Sequence, residues 1–203
     1  DLVGNVLDAG NALKPSYAKE GVRHARAAQP ALAYTYFNMD DPVVGGYTPD
    51  KVALRRAMVM GFNTDELIRV WYQGQAIRAT QPIPPVVAGH SEGFAARPPY
   101  DPESARKLLD RFGYKDRDGD GFRELPDGSP LKLEMATQPD QLSRQLDEIW
   151  KRSMTAVGLQ IDFRPAKWPE NLKNSRAGKL MMWRVGWVAA QPDGDTFLAL
   201  GYG

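Results

Sequence analysis

The chain has 203 residues, 42% hydrophobic and 25% charged, with 26 basic residues against 25 acidic ones and no cysteine. A globule of this length buries roughly 70% of its unfolded surface, so a sizeable core forms without staples, and the absence of cysteine excludes disulfides, thiolate zinc sites and thiol catalysis. Balanced charge, with Arg23-His24-Ala25-Arg26 as the longest basic cluster, speaks against a nucleic-acid partner, and no apolar run reaches the ~18 residues that span a bilayer.

The chain opens on Asp1-Leu2-Val3-Gly4 without an initiator methionine or a leader pattern, stops at Gly201-Tyr202-Gly203, and is read as a processed or truncated product. In the first 47 residues, Ala31-Leu32-Ala33-Tyr34-Thr35-Tyr36-Phe37 has the aromatic content of a strand. Thr48-Pro49 then sets a capping hydroxyl before a proline at the first helical position. Val52, Leu54, Ala57, Met58 and Phe62 follow at helical spacing, predicting a helix to Gly61. Asn63 with Glu66 three residues on caps a second helix whose apolar face is Leu67, Ile68 and Trp71.

Pro82, Pro84, Pro85, Pro98 and Pro99 make residues 81–100 an extended surface loop. Asp101-Pro102 starts a third helix, striped by Ala105, Leu108, Leu109 and Phe112 and ended by Gly113. Alternation at Leu131, Leu133 and Met135 gives a strand, and Leu142, Leu146, Ile149, Trp150 and Val157 a helix to Gly158. Leu159, Ile161 and Phe163 give another strand. A short helix from Pro169 to Ala177, closed by Gly178, leads into a strand over Leu180–Val188, buried on at least one face. Such an alternation joins parallel strands, and ligands gather beyond their carboxyl ends, which puts the expected site in the loop starting at Trp187.

Three motifs carry possible chemistry. Gly89-His90-Ser91-Glu92-Gly93 matches the nucleophile-elbow pattern, but that chemistry needs a helix directly after the serine and a histidine downstream. Pro98 and Pro99 interrupt the first requirement and no histidine follows His90, so a glycine-containing surface loop is the better reading. His24, with no ligand cluster near it, is read as solvated or locally hydrogen-bonded. The second motif, from Asp116 to Asp127, puts carboxylates at positions 1, 3, 5, 9 and 12 of a calcium-type loop with glycine at position 6. Asp116, Asp118, Asp120 and Asp127 are thus candidate calcium ligands, although Arg123 stands where an aliphatic is expected. Asp and Gly also favour metal-free turns. The third groups Trp183, Trp187 and Phe197 around Arg184, Gln191, Asp193 and Asp195, aromatic walls with a few polar anchors of the kind that line small-molecule pockets. Core packing alone also accounts for tryptophans on a buried strand.

Several separate stretches then agree with one family. They are Phe37-Asn38, Leu54-Arg55-Arg56-Ala57, Asp65-Glu66-Leu67-Ile68, Gln73-Gly74-Gln75-Ala76, Pro82-Ile83-Pro84-Pro85, Tyr100-Asp101-Pro102-Glu103-Ser104-Ala105, Gly113-Tyr114-Lys115-Asp116, Asp118-Gly119-Asp120-Gly121 and Arg184-Val185-Gly186-Trp187. Together, in this order, they resemble the family 5 extracellular solute-binding proteins, the peptide, nickel and related receptors of ABC importers. The resemblance implies an α/β fold: a type II periplasmic-binding-protein lobe, with a mixed sheet flanked by helices, as an incomplete fragment of a two-lobed receptor. Residues 1–47 are expected to be a crossover or hinge segment and 48–203 a truncated C-terminal ligand-binding lobe.

The implied function is capture of a small solute, peptide-like or other, for a membrane permease. It involves no catalysis and no cofactor beyond possible structural calcium. The protein is expected to be monomeric and periplasmic, or a cell-surface lipoprotein, meeting the membrane only through the permease. Ligand contacts are expected from Tyr36, Asn38, Trp183, Arg184, Trp187, Ala190, Gln191 and Asp193. In peptide-binding members the turn after the glycine-tryptophan pair carries an aspartate for the ligand's amino group, and Ala190 stands at the matching position. That departure puts ordinary peptide recognition in doubt. The alternative reading is a calcium-stabilised interaction module with no transport role.

Overall fold

A computed structural model describes residues 6–8 and 12–201. The elements, in chain order, are helix α1 (Pro15–Lys19), strand β1 (Ala31–Phe37), helices α2 (Pro49–Gly61), α3 (Thr64–Val70) and α4 (Pro102–Arg111), then β2 (Leu133–Thr137), α5 (Gln141–Thr155) and β3 (Ile161–Pro165). After these come α6 (Trp168–Arg176), β4 (Met182–Val188), α7 (Asp195–Leu198) and a 3₁₀ turn at Ala199–Gly201. The predicted strands and helices are all present, and residues 81–100 hold neither a helix nor a strand.

Local chemistry explains most boundaries. Asn63 Oδ1 accepts from the Glu66 amide at 3.0 Å, Asp101 Oδ1 from Ser104 at 2.9 Å and Asp140 Oδ1 from Ser143 at 2.8 Å, each satisfying one orphan donor of a helix start. Thr48 differs from expectation, since its hydroxyl makes no capping bond and Pro49 at the first position needs none. Glu66 does not close a reciprocal capping box. Its carboxylate reaches Arg152 on α5 at 2.7 Å, tying α3 to α5.

The four strands form one mixed sheet in the order β1-β4-β2-β3. β2 pairs parallel with both β3 and β4, as the α/β alternation predicts, and β1 pairs antiparallel with β4 over all seven residues. The segment expected to be a crossover therefore supplies an edge strand of this sheet. One face, through Leu133, Met135, Ile161 and Met182, packs on Leu54, Met58, Leu109, Leu146, Ile149 and Met154 of α2, α4 and α5. Phe62 stacks on Trp150 within this core, with ring centroids 4.2 Å apart. The opposite face carries α6, where Asn171 Nδ2 donates to the Thr137 carbonyl at 2.7 Å, Tyr36 and Ser175 share a 2.8 Å hydroxyl bond, and Trp168 leans on Trp183 at 4.8 Å.

The sheet is not uniformly deep. Only Met182 and Trp183 of β4 pair with β2, so residues 184–188 are held by β1 alone and run on as a two-stranded ribbon. Burial falls along β4 in step: Met182 and Trp183 are buried, Arg184 and Val185 half-buried, and Gly186 to Val188 exposed. The strand expected to be buried on at least one face is fully buried only where it is flanked on both sides.

One ionisable group is held against its preference. Burial pushes the Asp147 carboxyl up to about 6, assisted by the nearby charges of Asp140 and Glu148 and only partly offset by a 3.0 Å bond from the Thr137 hydroxyl. A raised folded-state value means that the stability this carboxyl contributes is present below the unfolded value of 3.8 and is lost as pH rises through about 6. Asp147→Asn keeps an acceptor for Thr137 and removes the charge. Because the group is partly solvated, we expect about 1 kcal/mol of stabilisation at pH 7.5, seen as a rise of about 2–4 °C in melting temperature, and no gain at pH 4. An equal shift at both pH values would assign the effect to packing.

Candidate ligand-binding edge

Residues expected to bind ligand fall into three places. Tyr36 and Trp183 sit directly opposite each other at the inner end of the β1/β4 pair, Trp183 buried beneath Trp168 and the Tyr36 hydroxyl occupied by Ser175. Asn38 uses both ends of its amide in the turn after β1, donating to the Gly178 carbonyl at 2.9 Å and accepting from the Asp40 amide at 3.1 Å. It fixes a turn at the end of the ribbon far from Trp187, which pairs with Leu32.

The second place is the turn beyond the ribbon's tip. Trp187 is 42% exposed, and Ala190, Gln191 and Asp193 are exposed around it. Asp193 Oδ1 accepts from the Asp195 amide at 2.8 Å and so holds the turn's shape. Phe197, expected beside the tryptophans, is 1% exposed and anchors a separate small core with Ile83 and Val87, backed by Leu32 and Ala189. The proline-rich loop is bound to this turn: Ala88 donates its amide to the Pro192 carbonyl at 2.8 Å, and Gly194 fits against Ile83 and Ala88.

Arg184 occupies the third place. Side chains alternate across a strand, so Trp183, Val185 and Trp187 share one face of β4 while Arg184 points to the other. The expected single cluster of tryptophans around an arginine does not form. Arg184 lies over Trp71, its guanidinium carbon 4.6 Å from the ring centroid, and donates a short bond to the Tyr72 hydroxyl. Trp71 and Tyr72, at the end of α3, were not among the expected site residues. Trp71 counted only as part of an apolar helix face, and no spacing pattern links it to a strand more than a hundred residues away.

The other two motifs resolve plainly. Ser91 is followed by turns and no helix, its amide and carbonyl both bound to the Gln81 side chain, and His90 Nδ1 donates to the Ile83 carbonyl at 2.8 Å. This is a stitched surface loop. In the acidic loop, Asp116, Asp118, Asp120 and Glu124 bring carboxylate oxygens within 4.8 Å of one another. Asp127, expected to close the ligand set, does not join them; its Oδ1 accepts from the Ser129 amide and hydroxyl at 2.9 and 2.6 Å. Asp116, Asp118 and Asp120 accept backbone amides of their own loop, from Gly119, Gly121, Asp120 and Phe122. Those bonds give the acidic residues a turn-forming role. His24 is exposed, as expected.

Three-layer packing around a mixed sheet, with an open ribbon tip beyond the strands' carboxyl ends, defines a lobe of the periplasmic-binding-protein class. The chain matches the bacterial extracellular solute-binding proteins, family 5, over residues 5–203, and it belongs to that family, whose members bind solutes and are not enzymes. It is 29% identical to di/tripeptide-binding protein 2 of Pseudomonas aeruginosa, covering 73% of this chain and 26% of that protein. With the dipeptide-binding protein of Escherichia coli the figures are 28%, 74% and 26%. The chain thus spans about a quarter of the length of these relatives. The fold is also that of NikA from Brucella suis, solved with Fe(III)-EDTA, with a TM-score of 0.73, 23% identity, and coverage of 93% of this chain and 37% of that one.

The turn's dependence on glycine is directly testable. A Cβ added at Gly194 would meet Ile83 Cδ1 at 2.6 Å and the Ala88 carbonyl oxygen at 2.9 Å. Overpacking of this kind costs about 1–3 kcal/mol, so Gly194→Ala should lower the urea midpoint with an unchanged m-value, whereas Gly186→Ala, where nothing lies within 4 Å, should not. Equal behaviour of the two variants would contradict the described packing of the turn on the proline-rich loop.

Proposed function

We propose that the chain is part of the substrate-binding protein of an ABC importer, which captures a small solute outside the cytoplasmic membrane and hands it to a permease. Family membership supports the class. The observation that carries the site is the open tip of the β1/β4 ribbon, where Trp187 and the turn through Asp193 stand exposed beyond the carboxyl end of a parallel strand, where ligands of such sheets collect. An aromatic side chain left in solvent beside exposed polar groups suits one wall of a cleft that a second lobe covers. By contrast, the depression of about 530 Å³ between α4 and α5 lies at the sheet's other end, and its charged lining, including Arg106 and Arg123, is largely committed to bonds within the lobe. In this reading residues 1–47 supply the crossover, which also lends edge strand β1 to the sheet, and 48–203 the rest of the lobe; the protein is monomeric, and its compartment is the periplasm or the outer cell surface.

The solute is proposed to lack a free α-amine, or to anchor it elsewhere, because Ala190 is exposed where peptide-binding relatives are expected to carry an aspartate. Without that carboxylate a buried ammonium loses a charge-assisted bond worth about 1.5–3 kcal/mol, or about one to two decades of affinity. A calcium-stabilised interaction module receives no support beyond the acidic loop itself.

Thermal unfolding of the full-length protein against peptides, sugars, opines and metal chelates tests this reading. A true ligand at about a hundred times its dissociation constant adds about 2.7 kcal/mol, a shift of several degrees. Ala190→Asp should move the profile towards peptides with free amines. A flat response across the panel would remove the receptor reading; a profile unaffected by Ala190→Asp would remove only the role given to that position.

A further inference from the structure

Two arginines are drawn together where the chain leaves α3 and crosses the proline-rich loop. Thr80 is the clasp. Its carbonyl accepts from the amides of Ala96 and Arg97 at 2.9 and 3.2 Å, and its hydroxyl donates to the Phe94 carbonyl at 3.1 Å. Gln81 Nε2 extends the clasp by donating to the Ser91 carbonyl at 2.7 Å. Residues 78–81 therefore lie alongside 91–97, and Arg78 and Arg97 project from adjoining stretches of backbone. Arg78 is ion-paired with the exposed Asp65 of α3, and the charges of both act on the Arg97 guanidinium. Burial and then the Arg78 charge pull Arg97 below the usual arginine range, and Asp65 offsets them only in part. Arg97 is half-buried, yet among the described residues its guanidinium belongs to no ion pair. Glu66, the next acid along α3, is committed to Arg152 at 2.7 Å. Two cations, one of them well removed from water, thus share a single carboxylate, a balance that calls for a second anionic group.

We propose that Arg78 and Arg97 form a binding site for an oxyanion, built from residues that belong neither to the β1/β4 ribbon nor to its turn. Guanidinium forks match the paired oxygens of a carboxylate, phosphate or sulfate, and such an ion supplies the negative charge that the pair lacks. The backbone clasp at Thr80 sets the spacing of the two arginines beforehand, which keeps the ordering cost of binding low. Arg97 and Arg78 touch the ion, while Asp65 competes with it for Arg78. The assignment rests on the loop's own charge balance and does not depend on the receptor reading.

The test titrates sulfate and phosphate into the full-length protein by calorimetry, in sodium chloride at constant ionic strength. Sulfate stabilises most proteins by exclusion from their surface, so the reading is a saturable heat and not a melting temperature. At least one of the two ions is expected to bind saturably. Arg97→Gln, and Arg97→Met, which keeps an unbranched apolar stem, should each weaken that binding about ten- to hundred-fold. Arg97→Met should not lower the melting temperature in chloride alone, because it removes a charge that lacks a partner of its own. Asp65→Asn, which frees Arg78 of its competing carboxylate, should tighten binding a few-fold. Displacement of the bound ion by the solute that stabilises the protein most would assign the oxyanion to that solute, and independent binding of the two would assign it to a free ion. No saturable heat with either ion, an affinity indifferent to both Arg97 variants, or a weaker affinity in Asp65→Asn would each overturn the site. None of these three results bears on the receptor reading, which the solute panel decides.

Discussion

The arrangement depends on β4 being flanked on both sides for two residues and on one side for the remaining five. A lone two-stranded ribbon is marginal in water and needs packing on its faces to persist. Here one face rests on the Leu32, Ile83, Val87 and Phe197 cluster, and the other is fastened by Arg184 on Trp71 and Tyr72. The ribbon can therefore stand clear of the body without collapsing onto it, and its tip stays available to whatever lies beyond the sheet.

Function follows from where each support comes from. Helices α2, α4 and α5 fill one side of the sheet and α6 the other, so the inner halves of the strands are sealed and Trp183 and Tyr36 serve the interior. Exposure then rises along β4 towards Trp187. The proline-rich loop, which carries no regular structure, braces the turn through Ala88 and Gly194, converting an irregular segment into a rigid base for exposed polar groups. A site placed on braced elements keeps its shape between ligands.

Much of this was legible from residue order. The Asn63 and Asp101 caps, the alternation through Leu133 and Met135 and the helical spacing from Leu142 onward report local physics, and local physics sets element type and boundaries. The parallel arrangement of β2, β3 and β4 follows from strands joined by helices. What spacing along one element does not reveal is what lies against it. Trp71 and Arg184 meet across 113 positions, and Phe197 turns into a satellite core instead of joining the tryptophans. The period of a strand separates Arg184 from Trp183 and Trp187 whatever the fold, so grouping them by closeness in sequence placed them on one wall when they occupy two faces. Asp127 fits a twelve-residue loop by count, but it finds a nearer partner in Ser129.

The central claim is that solute meets the ribbon tip, and not the helical body. Amide hydrogen exchange of the full-length protein, with and without the solute that stabilises it most, tests this directly. Exchange should slow at residues 184–191 while α4 and α5 stay unchanged; slowing confined to those two helices, with the ribbon unaffected, would contradict the account.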